Sequence, residues 1–264
     1  MNKLVLRSYF SDNALKKHSH YHDCHQIIFV TKGRARFCVN EATYDATEGS
    51  VMIFSRYENH SMNIMTDEYE RYVLHIHPSA DIQQNKTYAI FSNRPDGFNN
   101  LIDMTNNKKQ FQELFAQIIA EFNGTNKMGE DMLQLLVDQL LILICRCLPD
   151  EILSFDDDCF ETVADIQRRF EKEYYNRYTL EDLAKDYNIS PSSLSHQFKK
   201  VTGSSVMGYL LSCRIATAKK YLSKTNLGIG DIVERCGFSD NSNFSRTFKT
   251  LCGMSPSQFR NKYK

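Results

Sequence analysis

Seven of the eight histidines fall in the first 77 residues: His18, His20, His22, His25, His60, His75 and His77. Imidazoles near neutral pH hydrogen-bond small polar molecules or ligate transition metals. His20 and His22 stand two residues apart with Gln26 close behind, and His60 follows Gly49 after ten intervening residues. His75 and His77 share a strand face with Val73, because strand side chains alternate. The candidate effector-binding residues are His20, His22, Gln26, His60 and His75. Three readings stay open: a pocket for a small organic effector, a metal site, or histidines at a rim with no role.

A second chemistry lies at the other end of the chain. Leu180-Glu-Asp-Leu-Ala-Lys-Asp-Tyr-Asn-Ile-Ser resembles Ile229-Gly-Asp-Ile-Val-Glu-Arg-Cys-Gly-Phe-Ser, and Leu194-Ser-His-Gln-Phe-Lys-Lys-Val-Thr-Gly resembles Phe244-Ser-Arg-Thr-Phe-Lys-Thr-Leu-Cys-Gly. Each copy reads as a short helix, a tight turn and a second helix closed by glycine. Leu183, Ala184, Ile189, Leu194 and Phe198 would pack the first pair, and Ile232, Val233, Phe238, Phe244 and Phe248 the second. This is the helix-turn-helix pattern, whose second helix enters the DNA major groove. The outward residues, Ser192, Ser193, Ser195, His196 and Lys199 in one copy and Asn241, Ser242, Asn243, Ser245, Arg246 and Lys249 in the other, are the candidate DNA contacts. Asn pairs with adenine and Arg with guanine, so the second copy is expected to read sequence more sharply. Ser190 and Ser239 suit the helix N-caps. One copy alone would equally be an ordinary helical hairpin. Two copies joined by a helix over 205–224, in a basic segment, favour DNA.

The second copy resembles the AraC/XylS family of transcriptional regulators, whose signature is met by Ile229, Ile232, Gly237, Phe238, Phe244, Arg246, Phe248, Lys249, Gly253, Pro256 and Arg260. Val233 replaces the family's alanine and Phe259 its tyrosine; both remain apolar. The resemblance covers residues 160–264 and implies a promoter-binding regulator, most often an activator working with RNA polymerase. The histidines resemble the cupin motifs, with Gln26 where the first motif has glutamate. A metal cupin would use His20, His22 and His60 with that carboxylate. Glutamine is a poor donor to transition metals, and many such regulators keep these histidines without depending on a metal. No cofactor is implied beyond an unidentified small-molecule effector. The alternative function is a cupin metalloenzyme or metal sensor; a helical protein-interaction module is a third class, disfavoured by the recurrence of basic reading-helix residues.

The elements that must carry these groups divide the chain. Strand-type runs at 26–31, 36–39, 50–54 and 71–77, punctuated by Gly33, Asn40 and Gly49, predict an antiparallel sandwich or barrel. From Lys108 the period turns helical: Phe111, Leu114, Phe115, Ile118, Ile119 and Phe122, then Met132 to Ile144. These two helices either cover the barrel or pair with a second subunit. The fold expected is α+β and multidomain: a cupin-like barrel over 1–100, a helical pair over 101–148 that serves dimerisation, an acidic linker over 149–159, and an all-α module over 160–264 with helix-turn-helices at 180–203 and 229–253.

Charge follows the same division. The chain carries 32 Lys+Arg against 32 Asp+Glu. Residues 176–264 hold 14 and 6 of these, net +8, against net −8 for residues 1–175. A basic module on an acidic body fits nucleic-acid binding. No signal peptide is legible at the N-terminus, and the most apolar run, 132–148, is broken by Gln134, Asp138, Gln139 and Arg146. A cytoplasmic, non-enzymatic homodimer is expected, with double-stranded promoter DNA and a small effector as partners and no membrane. The eight cysteines form no Cys-x-x-Cys pair, as reduced thiols do, and Cys145 and Cys147 are expected on the core side of their helix.

Overall fold

The computed structural model describes residues 4–12, 17–39, 42–77, 86–92, 98–153 and 157–264. Asn40 of the turn signals and residues 154–156 of the acidic linker lie outside these, as do the side chains of His18 and Cys159. The chain falls into two units, Met1–Lys17 with Cys24–Phe155, and His18–Asp23 with Asp156–Lys264.

Nine strands are present among the described residues: β1 (Val5–Ser11), β2 (Lys17–His20), β3 (His25–Lys32), β4 (Arg34–Val39), β5 (Ala42–Thr47), β6 (Ser50–Phe54), β7 (His60–Ile64), β8 (Glu70–Ile76) and β9 (Leu101–Asp103). They form a five-stranded sheet, β1-β8-β3-β6-β9, and a four-stranded sheet, β2-β7-β4-β5. Every strand pairing with a recorded register is antiparallel. Leu101–Asp103, which the sequence reading assigns to the helical pair, pairs with β6.

β3 and β8 are buried on both faces, and the alternation explains how. Ile27, Phe29, Leu74 and Ile76 face one apolar cluster, shared with the helices; Ile28, Val30 and Val73 face another, shared with Phe37, Met52, Phe54, Met62 and Tyr69. Each such side chain contributes about 1.5–3 kcal/mol. The helical layer holds α1 (Ala89–Ser92), α2 (Lys108–Asn123), α3 (Gly129–Cys145) and α4 (Asp150–Leu153). Phe111 and Phe115 of α2 meet Phe29 at ring centroids 5.4 and 5.8 Å apart. Ile119 and Phe122, assigned to the same buried stripe by their spacing, are only half-buried. Cys147, expected on the core side with Cys145, is exposed while Cys145 is buried. α3 ends at Cys145, so helical periodicity no longer governs Cys147.

The second unit is helical: α5 (Asp157–Glu173), α6 (Leu180–Asp186), α7 (Pro191–Thr202), α8 (Val206–Lys224), α9 (Ile229–Arg235), α10 (Asn241–Cys252) and α11 (Pro256–Tyr263). In α8 the expected stripe, Tyr209, Leu210, Ile215, Ala218 and Leu222, is buried. Its 19 residues span roughly 28 Å at about 1.5 Å each. No helix among the described residues is long and apolar enough to cross a membrane.

Candidate nucleic-acid interface and effector site

α6 and α9 are the first helices of the two hairpins, and α7 and α10 the second. Thr179 caps α6 by accepting from the Asp182 amide at 3.1 Å. The chain turns through Asn188 in the first copy (φ 55°) and Gly237 in the second (φ 73°). Ser190 caps α7, accepting from the Ser193 amide at 3.1 Å, and Pro191 occupies the first helical position, where its missing N–H is no loss. α10 is capped by Asp240 rather than Ser239. The helix starts one residue later than the repeat implies, and the Asp240 carboxylate accepts from the Asn243 amide at 2.7 Å. The Ser239 hydroxyl instead donates to that carboxylate at 2.9 Å. The Asn243 amide and this hydroxyl hold the Asp240 carboxyl below the usual range. Both helices end at glycines with positive φ, Gly203 and Gly253.

The internal repeat extends to exposure. Position by position, residues 191–200 and 241–250 follow the same order of exposed, half-buried and buried side chains. Leu194 and Phe198 face inward as do Phe244 and Phe248. Ser192, His196, Lys199, Asn241, Ser242, Arg246 and Lys249 are exposed; Ser193, Ser195, Asn243 and Ser245 are half-buried. Ser193 accepts from the Gln197 amide group at 3.1 Å, and Asn243 accepts from the Thr247 hydroxyl at 3.5 Å, so both are engaged within their own helices. Lys200 and Thr250 share the exposed positions after Lys199 and Lys249. The sequence reading did not name them, although the offset of 50 would have found them.

In the barrel, Gln26 is 1% exposed and its Nε2 lies 2.6 Å from His75 Nε2. Its Oε1 has no hydrogen-bond partner among the described residues. Tyr9 approaches the His75 ring edge-on at 6.4 Å. The His20 and His22 rings meet edge to face at 4.9 Å. His60 Nδ1 sits 2.9 Å from the Glu58 carbonyl, which leaves Nε2 as its outward nitrogen. His75 is buried, whereas His77 is half-buried. His25 accepts from the Arg56 amide at 3.1 Å and stacks on Phe91, which makes it a packing residue. Arg71 was not foreseen: it is 3% exposed on the Val73 side of β8, with its guanidinium 5.1 Å from the Tyr69 ring centroid. Burial pushes the Tyr69 phenol up to about 12 against the pull of Arg71. Strand alternation with Val73 would have placed Arg71 inside.

A barrel with inward polar groups and a paired helix-turn-helix module together define a ligand-responsive, DNA-binding transcription regulator. Residues 6–140 match the AraC-like ligand binding domain, and residues 183–262 match a helix-turn-helix domain. The chain belongs to the AraC family of transcriptional regulators. It is 24% identical to the HTH-type transcriptional activator RhaR of Mannheimia succiniciproducens, covering 92% of this chain and 87% of that protein. It is 33% identical to the arabinose operon regulatory protein of Salmonella typhimurium over 57% of this chain and 53% of that one. The fold is like that of ToxT from Vibrio cholerae with an unsaturated fatty acid bound (TM-score 0.63, 16% identity, covering 98% of this chain and 95% of that one). These likenesses favour the regulator over the cupin metalloenzyme.

Proposed function

We propose that the chain is a cytoplasmic, non-enzymatic activator that binds promoter DNA as a homodimer, contacts RNA polymerase and answers to a small organic effector in its barrel. The matched exposure of α7 and α10 carries the DNA-binding part. Ser192, His196 and Lys199, with Asn241, Ser242, Arg246 and Lys249, reach bases and phosphates; Ser193, Ser195, Asn243 and Ser245 line the same faces. Arg246→Ala is expected to cost about 1–3 kcal/mol at one guanine step, read by binding to a selected operator and to its single-base variants. A uniform loss across all sequences would instead place Arg246 on the phosphates, and no loss would remove it from the interface.

His20, His22, Gln26, His60 and His75 are the effector residues of this proposal. The buried Gln26 Oε1 supports an effector with a hydroxyl or amino donor, since a buried acceptor left unmatched costs about 1–3 kcal/mol. A transition-metal effector is the second reading, supported by the adjacent imidazoles of His20 and His22. Operator binding that is indifferent to both chelator and added zinc would remove it.

Dimerisation is assigned to α3. Met132, Leu135 and Ile142 are exposed apolar residues of α3 spaced like one seam of a coiled coil. This stripe lies opposite the face that packs in the core. Leu135→Glu with Ile142→Glu is expected to leave the fold intact, since both side chains already face water, and to yield a monomer in sedimentation. A dimer that survives both charges would assign the interface elsewhere.

A further inference from the structure

The two hairpins are joined by more than the spacer helix α8. The stretch Tyr174–Asn176, which leads from α5 into the first hairpin, runs against the turn of the second: a Cβ at Gly237 would lie 2.5 Å from the Tyr175 carbonyl oxygen and 2.8 Å from its Cα. Arg214, on α8, reaches both sides of that contact. Its Nε donates to the Tyr174 carbonyl and its Nη2 to the Asn176 carbonyl, each at 2.8 Å. Its guanidinium also stands 5.9 Å from the centroid of the Phe238 ring, within the range of a cation–π contact. Phe238 in turn packs edge-on against Phe244 of the reading helix α10 at 5.1 Å. Burial lowers the Arg214 pKa from its ordinary value, as befits a guanidinium withdrawn from water, where its charge-assisted bonds to carbonyls are strengthened.

We propose that Arg214 is a positioning residue that locks α7 and α10 at one separation and one rotation, and so makes the spacing of two DNA elements part of what the protein recognises. The inference rests on the DNA-binding function proposed above. A spacer helix fixes the distance between its ends but not the angle at which each hairpin is set on it. That angle needs a second attachment. At Arg214 the segment entering the first hairpin, the spacer helix and the turn of the second hairpin meet around one guanidinium, whose planar fork holds its two carbonyls in a single geometry. On the DNA side, one base pair inserted between the elements moves one of them by about 3.4 Å and turns it by roughly 35° about the duplex axis. A hinged pair of hairpins can follow such a change; a locked pair cannot.

The test uses a duplex that the full chain selects from a random-sequence pool, and the same duplex with one base pair inserted between the elements that footprinting assigns to the two hairpins. Affinities are read by fluorescence anisotropy. For wild type the insertion is expected to cost about 100-fold or more, because the gain from linking two binding modules is lost when geometry forbids both from engaging. Arg214→Met, which keeps the stem and removes the donors, is expected to bind the selected duplex several-fold more weakly and to shrink the insertion penalty below about tenfold. Arg214→Lys, which keeps the charge without the planar fork, is expected to fall between the two, and it decides the matter if Arg214→Met does not fold. Ala216→Gly, at another buried position of α8, weakens the helix but leaves the Arg214 bonds in place, so its penalty is expected to match wild type. A folded Arg214 variant with the wild-type penalty, an Ala216→Gly protein that loses the penalty too, or a wild type indifferent to the insertion would each overturn the lock while leaving DNA binding in place. Failure of wild type to select any duplex would reject the DNA-binding reading and the lock with it.

Discussion

Gly237→Asn should destabilise the C-terminal module even though asparagine already occupies the corresponding turn of the first copy. Asn188 and Gly237 both adopt the left-handed conformation, φ 55° and 73°, which asparagine tolerates better than most residues. Conformation alone would therefore make the exchange nearly neutral. The surroundings differ. A Cβ at position 237 would lie 2.5 Å from the Tyr175 carbonyl oxygen and 2.8 Å from its Cα. That backbone cannot retreat, because Arg214 donates to the carbonyls on either side, Tyr174 and Asn176, both at 2.8 Å. Forcing atoms into such a contact costs typically about 1–3 kcal/mol, occasionally more, and each kcal/mol lowers the melting temperature of a domain near 100 residues by roughly 4–8 °C. Thermal melts of the full chain followed by circular dichroism should show this loss for Gly237→Asn and almost none for Asn188→Gly. Equal melting of Gly237→Asn and wild type would mean that the Tyr175 segment yields.

Phe248→Ala carries the larger expected effect. The ring is fully buried and packs against Phe244 and Phe259 at centroid distances of 5.6 and 5.5 Å. It thus joins α10 to α11 across the inner face of the second hairpin. Truncation of a buried phenylalanine costs about 3–5 kcal/mol, a large fraction of the stability of a small domain. The functional consequence follows from position: Phe248 and Arg246 lie on opposite faces of α10, so the packing that holds Phe248 is what points Arg246 outward. Operator affinity should fall at temperatures where wild type is fully folded, and cooling should recover it, whereas Arg246→Ala should lose affinity without a change in melting. A Phe248→Ala protein that melts like wild type would show that the site collapses onto the missing ring.

The repeat was legible in sequence because its two copies must solve the same packing problem, two short helices burying the same apolar positions around one turn. That constraint fixes residue type at Leu194 and Phe198, and again at Phe244 and Phe248, whatever lies around them. The strands visible in sequence were those with clear apolar runs, β3, β4, β6 and β8. β1, β2, β5 and β7 passed unnoticed because they carry more polar residues, and β9 because it is only three residues long. The cap of α10 was misplaced by one residue for a related reason: Ser239 and Asp240 are both good caps, and only the helix start selects between them.

What the amino-acid sequence determined by itself was local and periodic: the paired hairpins, their exposed basic and amide residues, the apolar faces of α2 and α3, and the division into an acidic body and a basic module. What the tertiary structure decided was which of the polar groups meet. The pairing of Gln26 with His75 follows from the alignment of β3 and β8, and the inward placement of Arg71 from its face of β8. The contact of Tyr21 and Asp23 with Lys219 and Lys220 joins residues almost two hundred positions apart. Such long-range meetings depend on how sheets and helices pack, and no spacing along a single chain encodes them.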